Sequence, residues 1–298
     1  MMRLRTALGI VAKAAMPRAM RSLRLPICLL AGALAAAPAR AVYEGPIFDA
    51  HLHYNDEAID RYPVGTVMEL FSKNGVKAIL ANSRPNDGTR ALVEANRRAP
   101  RGGFAVVPFI RVYRDRADYG TWHANPDIAR MIEDEEKRGY YRGIGEFHVF
   151  GREAASDVVK RIVNFAVAKD LVLHAHCDEE ALELLFAHNP KARVIWAHTG
   201  FSTPLARVDE LFRKYPRLWG ELSYRWDVAE EGRLAPAWRD FFTKHADRFL
   251  VGSDTWVNQR WQSYPETMAT YRKWLGELPP EVAGRIAWRN GARLFGLE

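Results

Sequence analysis

Cysteine is scarce in this 298-residue chain, which contains only Cys28 and Cys177. Long hydrophobic runs are missing as well. The apolar stretch at residues 25–37 has 13 residues, whereas a helix needs about 20 to cross a bilayer. We therefore expect no stable membrane anchor. If Cys28 is removed with a leader, the one cysteine that remains excludes an internal disulfide.

The first 41 residues have the order of a cleavable leader. They carry seven basic residues and no acidic one, then the apolar stretch, and then Ala39-Arg40-Ala41. A basic region, an apolar region and a small-x-small cleavage signal are typical of a secretory signal peptide. We therefore predict a signal peptide at 1–41, a mature domain at 42–298 and a periplasmic or secreted location.

An excess of positive charge is absent from the mature chain. The whole sequence has 43 basic and 36 acidic residues, but the predicted leader holds seven of the basic ones. The remaining 36 balance the 36 acidic residues, so the charge does not favour a nucleic-acid partner, which would call for a basic surface.

What the chain does contain is an eightfold alternation of short apolar segments and amphipathic segments. The predicted strands are 46–51, 76–81, 104–112, 141–150, 171–176, 193–198, 218–224 and 249–254. The predicted helices are 64–74, 88–98, 125–138, 154–169, 178–188, 204–215, 235–245 and 262–276. This alternation predicts an α/β fold with one domain, a (β/α)₈ TIM barrel. A last helix at 279–297 follows the eighth unit, and a doubly wound open sheet is the alternative topology.

Histidines concentrate at the ends of the predicted strands. Six of the nine lie there: His51, His53, His148, His174, His176 and His198. In "IFDAHLH", strand alternation is expected to place Asp49, His51 and His53 on one face. In a barrel all these strand ends meet at the face that carries active sites, together with Glu146 and Asp254. Imidazoles and carboxylates converging there predict a divalent metal site, with zinc as the first choice.

The order of these motifs resembles the amidohydrolase superfamily. The resemblance consists of His-x-His on strand one, Glu146 in "GIGE" on strand four, histidines on strands five and six, and "GSD" on strand eight. The ending "IAWRNGARLFGL" is similar to that of the amidohydrolase-related branch, which contains metal-dependent hydrolases and decarboxylases.

The resemblance implies a ligand set. His51, His53 and Asp254 would bind a first metal, and Glu146 would bridge to a second in binuclear members. His198 and a histidine of strand five, either His174 or His176, would hold that second metal, with His176 slightly preferred. In mononuclear members the strand-five histidine joins the first metal, and His198 polarises the substrate. One ion and two ions both stay open.

The implied activity is metal-dependent hydrolysis of a small molecule, an amide, an ester or lactone, or a phosphoester. Metal-activated water would attack, with Asp254 as the general base and His198 as the second catalytic residue. Two alternatives remain: a metal-dependent decarboxylase on the same fold, and a non-catalytic periplasmic binding protein.

Four residues near the predicted catalytic face are candidates for contact with the substrate: His148, Arg84, Arg225 and Trp256. Guanidinium groups suit carboxylates and phosphates, so the arginines favour a small anionic substrate. The alternative is that the arginines are solvated loop charges and that the tryptophan shields the barrel rim.

Overall fold

The computed structural model describes residues 41–98 and 102–297. The predicted signal peptide lies outside these residues except for Ala41, so it stays a prediction. The described residues belong to one compact unit, Arg40–Glu298. None of their helices is long and apolar enough to span a membrane.

Eight parallel strands form a nearly closed barrel. Each strand lies beside the next one along the chain, and an isolated parallel bridge between Asp49 and Val251 links the first strand to the last. This closure confirms the predicted TIM-like α/β barrel and excludes the open doubly wound sheet. The strands are β1 Ile47–His53, β2 Val76–Asn82, β3 Ala105–Ile110, β4 Gly143–Val149, β5 Val172–Cys177, β6 Val194–Trp196, β7 Leu218–Glu221 and β10 Phe249–Leu250, with β8 Ala229–Glu230 and β9 Arg233–Leu234 forming a separate antiparallel hairpin.

Helices follow the barrel strands and cover the outer face of the sheet. They are α1 Asp56–Ile59, α2 Val64–Lys73, α3 Asp87–Arg98, α4 Pro126–Glu136, α5 Asp157–Ala168, α6 Glu179–His188, α7 Leu205–Lys214, α8 Pro236–Lys244, α9 Asn258–Gln262, α10 Tyr264–Leu275, α11 Pro280–Gly284 and α12 Asn290–Phe295. A π-helical turn, Arg285–Arg289, joins the last two, so the predicted C-terminal helix is present in three pieces. Helix starts follow ordinary capping rules: Asp178, for example, accepts a 2.8 Å hydrogen bond from the Ala181 N–H.

Three strands end earlier than predicted because the backbone turns sharply after them. His198 follows β6, Tyr224 follows β7 and Asp254 follows β10, and all three have left-handed φ values of 57°, 53° and 49°. This conformation cannot continue a strand, and it is uncommon for residues other than glycine. The turns carry the polar side chains of these segments off the sheet and into the barrel mouth.

The interior of the barrel is apolar up to its last layer. Phe48, Ala50, Leu80, Phe109 and Ile195 are among the residues of this inner core. At the opposite end from the histidines, Phe295 of α12 stacks on Phe48 with ring centroids 5.8 Å apart. The C-terminal helix thus closes one end of the barrel, and the buried polar groups collect at the other end.

Candidate metal centre

Four segments of the barrel bring imidazoles and carboxylates to one point at its mouth. His51 and His53 end β1, Glu146 lies in β4, His198 follows β6 and Asp254 follows β10. The Nε2 atoms of His51 and His53 are 3.1 Å apart. One carboxylate oxygen of Asp254, Oδ1, lies 3.4 Å from His51 Nε2 and 3.1 Å from His53 Nε2. All five side chains are buried.

Glu146 lies between two groups of histidines. Its Oε2 is 3.3 Å from His53 Nε2, and its Oε1 is 3.6 Å from His51 Nε2. The same Oε1 is 3.0 Å from His176 Nδ1 and 3.6 Å from His198 Nε2. Oε1 therefore lies close to histidines of both groups, so the carboxylate is placed between the β1 histidines and the histidines of β5 and β6.

Hydrogen bonds orient three of these histidines. His51 Nδ1 lies 2.8 Å from Glu221 Oε2, and His198 Nδ1 lies 2.8 Å from the Ser223 carbonyl oxygen. Both partners are acceptors, so each of these two rings places an N–H at Nδ1 and turns Nε2, the nitrogen that would bind a metal, toward the centre. His53 Nδ1 lies between Asn82 Oδ1, at 2.7 Å, and a guanidinium nitrogen of Arg111, and its Nε2 also faces the centre.

The electrostatics of the cluster also fit a cation. Burial acts to raise the pKa of Asp254, but His51 and His53 outweigh it and hold that pKa below its usual value. Burial acts to lower the pKa of His51, yet Asp254, Glu146 and Glu221 hold it well above the usual value. These buried carboxylates stay ionised and stabilise positive charge on an imidazole. They would stabilise the charge of a divalent ion in the same way. The donor set fits a divalent metal ion.

Comparison with known proteins identifies the family. The model of the Amidohydrolase family (Amidohydro_2) matches residues 72–297. The chain belongs to this family. It is an enzyme, a metal-dependent hydrolase with a buried cluster of candidate ligands, which confirms the predicted family and enzyme class and sets aside the non-catalytic binding protein. The matched range begins after β1, so the assignment of His51 and His53 as candidate metal ligands depends on the geometry alone.

Solved structures share the fold at low sequence identity. An amidohydrolase from Burkholderia multivorans with bound zinc is 19% identical, with a TM-score of 0.54, over 85% of this chain and 100% of that one. A protein from Pseudomonas putida assigned as a 2-pyrone-4,6-dicarboxylic acid hydrolase is 14% identical, with a TM-score of 0.57, over 85% and 98%. A TatD family hydrolase from Entamoeba histolytica is 8% identical, with a TM-score of 0.56, over 85% and 99%. A comparison with curated proteins gives no match.

In this amidohydrolase, β5 places its two histidines differently. His176 reaches Glu146, and 17% of its side chain is exposed to the cavity. His174 is fully buried beneath His51, with ring centroids 4.4 Å apart, and neither of its ring nitrogens has a hydrogen-bond partner within the described part of the chain. Burial, together with the charge of His51, holds the pKa of His174 well below its usual value. His176 is thus the strand-five histidine that contacts Glu146, whereas His174 packs against His51 deeper in the barrel.

The expectation that Asp49 shares a face with the two β1 histidines is wrong. The register of β1 against β2 shifts between Asp49 and Leu52, and such an irregularity redirects side chains. Asp49 accepts hydrogen bonds from the Ser253 N–H at 2.8 Å and from the Tyr264 hydroxyl at 3.0 Å. It therefore ties β1 to the segment that carries Asp254, and burial raises its pKa to about 6.

The sequence analysis missed the residues that orient the histidines. Glu221 Oε2 accepts from His51 Nδ1, from the His198 backbone N–H at 3.2 Å and from the Ser223 hydroxyl at 2.8 Å. The charge on His51 outweighs burial and lowers the pKa of Glu221 to about 2, so it is a carboxylate. Asn82 and Glu221 both end apolar strands, in "VKAILAN" and "LWGE", so the criterion that selected the histidines would have found them.

A cavity of about 340 Å³ opens above the centre. It is lined by Arg111, Tyr119, Glu146, His148, His176, His198, Phe201, Tyr224, Asp254 and Trp256. Two predicted substrate residues, His148 and Trp256, are therefore in the wall. His148 is held by Tyr113, whose hydroxyl lies 2.8 Å from Nδ1, and burial lowers its pKa to about 3.

The two predicted substrate arginines are not in the cavity wall. Arg84 donates to the Tyr119 hydroxyl at 2.8 Å and to Glu57. Arg225 donates to the carbonyl oxygens of Thr199 at 2.8 Å and Thr203 at 2.6 Å, and to Asp227. Both guanidinium groups hold loops around the mouth rather than facing a ligand, because backbone carbonyls and acidic side chains of those loops occupy their donors.

The position of Glu221 predicts its effect on metal binding. In Glu221→Gln the charge that fixes His51 is lost, so we expect zinc affinity to fall about 10- to 100-fold, the usual effect of removing a partner of a ligating histidine. Competition with a chromophoric chelator measures this. Glu230→Gln, at the exposed end of strand β8, is the matched control. Equal zinc affinity in the Glu221→Gln variant and the wild type would show that Glu221 does not position the ligands.

Proposed function

We propose that this amidohydrolase is a zinc-dependent hydrolase of a small-molecule ester, lactone, amide or phosphoester, with two ions at the barrel mouth. The observation that carries the proposal is the position of Glu146, whose Oε1 lies within 3.6 Å of His51 on one side and of His176 and His198 on the other. The bound zinc in the Burkholderia multivorans structure supports the choice of metal, as do the imidazole and carboxylate donors.

The residues that would hold the first ion are His51, His53 and Asp254, with Glu146 shared. His176 and His198 would hold the second. A zinc ion in such a site polarises carbonyl or phosphoryl oxygens and lowers the pKa of water to about 7. His198 donates from Nδ1 to the Ser223 carbonyl oxygen and turns Nε2 toward Glu146 and the centre, so a ligand role suits this residue.

Asp254 is placed to move the proton. Its carboxylate lines the cavity, and its backbone N–H donates to the His51 carbonyl oxygen at 2.6 Å. Neighbouring histidines keep it ionised, so it can take a proton from water in the cavity and deliver it to the leaving group. Its left-handed backbone is a strained conformation held by the surrounding contacts, as is common at active sites.

Replacing Asp254 by Asn tests whether this residue is the general base or has only a structural role. We expect Asp254→Asn to remain folded and to lose at least about 100-fold in kcat/KM, because a general base contributes about 10²- to 10⁴-fold. The substrates are a panel of lactones, esters, amides and phosphoesters, and lactones come first because of the Pseudomonas putida structure. Zinc content is measured on the same samples, and Asp240→Asn on the exposed side of α8 is the control. Turnover within a few-fold of wild type in zinc-replete protein would rule out Asp254 as the base.

We also propose that residues 1–41 are a signal peptide and that the mature enzyme is exported. The support is the basic, apolar and small-residue order of the segment. N-terminal sequencing of the protein from its native host should begin at Val42. A product that retains residues 1–41 would contradict export by cleavage.

A further inference from the structure

We propose that the cavity above the candidate metal centre accepts an uncharged aromatic ring as the non-reacting part of the substrate, rather than an anionic group. This inference rests on the proposed function, since it concerns the same cavity. It depends on the side chains that line the cavity and not on which bond of the substrate is hydrolysed.

The walls above the ligands are aromatic. Tyr119, Phe201, Tyr224 and Trp256 line the cavity around its polar floor. Phe201 is 40% exposed and Trp256 is 51% exposed, although both are large apolar side chains. An aromatic group that covers such rings buries roughly 150–250 Å² and gains stacking or edge-to-face contacts. The exposed rings therefore offer a surface suited to another ring.

Contacts with neighbouring side chains hold these aromatic walls in place. Tyr119 stacks on Tyr113 with ring centroids 4.1 Å apart, and Phe201 stacks on His198 at 4.3 Å. The Tyr224 hydroxyl accepts from Trp256 Nε1 at 3.2 Å and also from Arg260. A wall that is already ordered loses little conformational entropy when a ligand binds.

The walls offer no free cation to an anionic substrate. Among the described residues that line the cavity, Arg111 carries the only guanidinium or ammonium group. It is 1% exposed, lies 3.4 Å from Glu146 Oε2 and donates to Asn82. Arg84 and Arg225 are bound to loop groups, as described above. A carboxylate placed against these walls would lose hydration without gaining a cationic partner, which is unfavourable.

Three hydroxamic acids test this inference by binding rather than by turnover. Acetohydroxamic, benzohydroxamic and 4-carboxybenzohydroxamic acid share a metal-binding group and differ only in the part that meets the walls. Calorimetric titration of the zinc-loaded protein should show benzohydroxamic acid binding at least about tenfold more tightly than either of the others. Comparable or tighter binding of the 4-carboxy compound would overturn the inference.

Two exposed tryptophans provide a matched pair of variants. Trp256 is in the cavity wall, whereas Trp226 is 74% exposed and is not. Trp256→Ala should weaken benzohydroxamic acid about tenfold, equivalent to roughly 1.4 kcal/mol, and change acetohydroxamic acid by less than twofold. Trp226→Ala should change neither. Equal losses for both ligands, or no loss in Trp256→Ala, would contradict the aromatic site.

Zinc analysis of the same samples separates the two proposals. A protein that holds zinc but shows no preference for the neutral ring overturns this inference and leaves the hydrolase proposal standing. A protein that holds no zinc overturns the hydrolase proposal and this inference with it.

Discussion

The hydrogen bonds at the Nδ1 atoms of the histidines determine whether this centre can bind a metal. Glu221 and the Ser223 carbonyl oxygen each accept from an Nδ1 atom, and Asn82 contacts Nδ1 of His53, so three Nε2 atoms face the same small region. Without these acceptors the rings could exchange tautomers or rotate, and their lone pairs would not converge. Glu221 is central, because it contacts His51 on β1 and the backbone of His198 after β6. A single buried carboxylate thereby couples two sides of the barrel mouth.

The barrel supplies the convergence on which those bonds depend. Parallel strands bring their carboxyl ends to one face, and the left-handed turns at His198 and Asp254 bring two more side chains over it. Asp49 holds the closure together: it is bridged to Val251, and its carboxylate binds Ser253 and Tyr264. The position of Asp254 relative to the β1 histidines thus depends on a residue that does not itself enter the cluster.

The barrel and the position of the polar cluster can be predicted from the sequence. The remaining features cannot, for physical reasons. Alternating apolar and amphipathic segments predicted the barrel, and the histidines at strand ends predicted where the polar cluster would lie. The face of Asp49 was mispredicted because strand alternation assumes a regular register, and β1 is irregular. The choice between His174 and His176 could not be made from spacing, since residues two apart share a face; depth in the barrel separates them. The pairing of Arg84 and Arg225 with loop groups depends on loop conformation, which residue type does not specify.

The position of the metal is the most direct test of the account. A crystal structure of the zinc-loaded protein, with anomalous data collected at the zinc absorption edge, locates the ions without any assumption about substrate. We expect one peak among His51, His53 and Asp254 and a second among Glu146, His176 and His198, each about 2.0–2.1 Å from the ligating nitrogens. Zinc bound elsewhere, or no peak at the barrel mouth, would contradict the central claim.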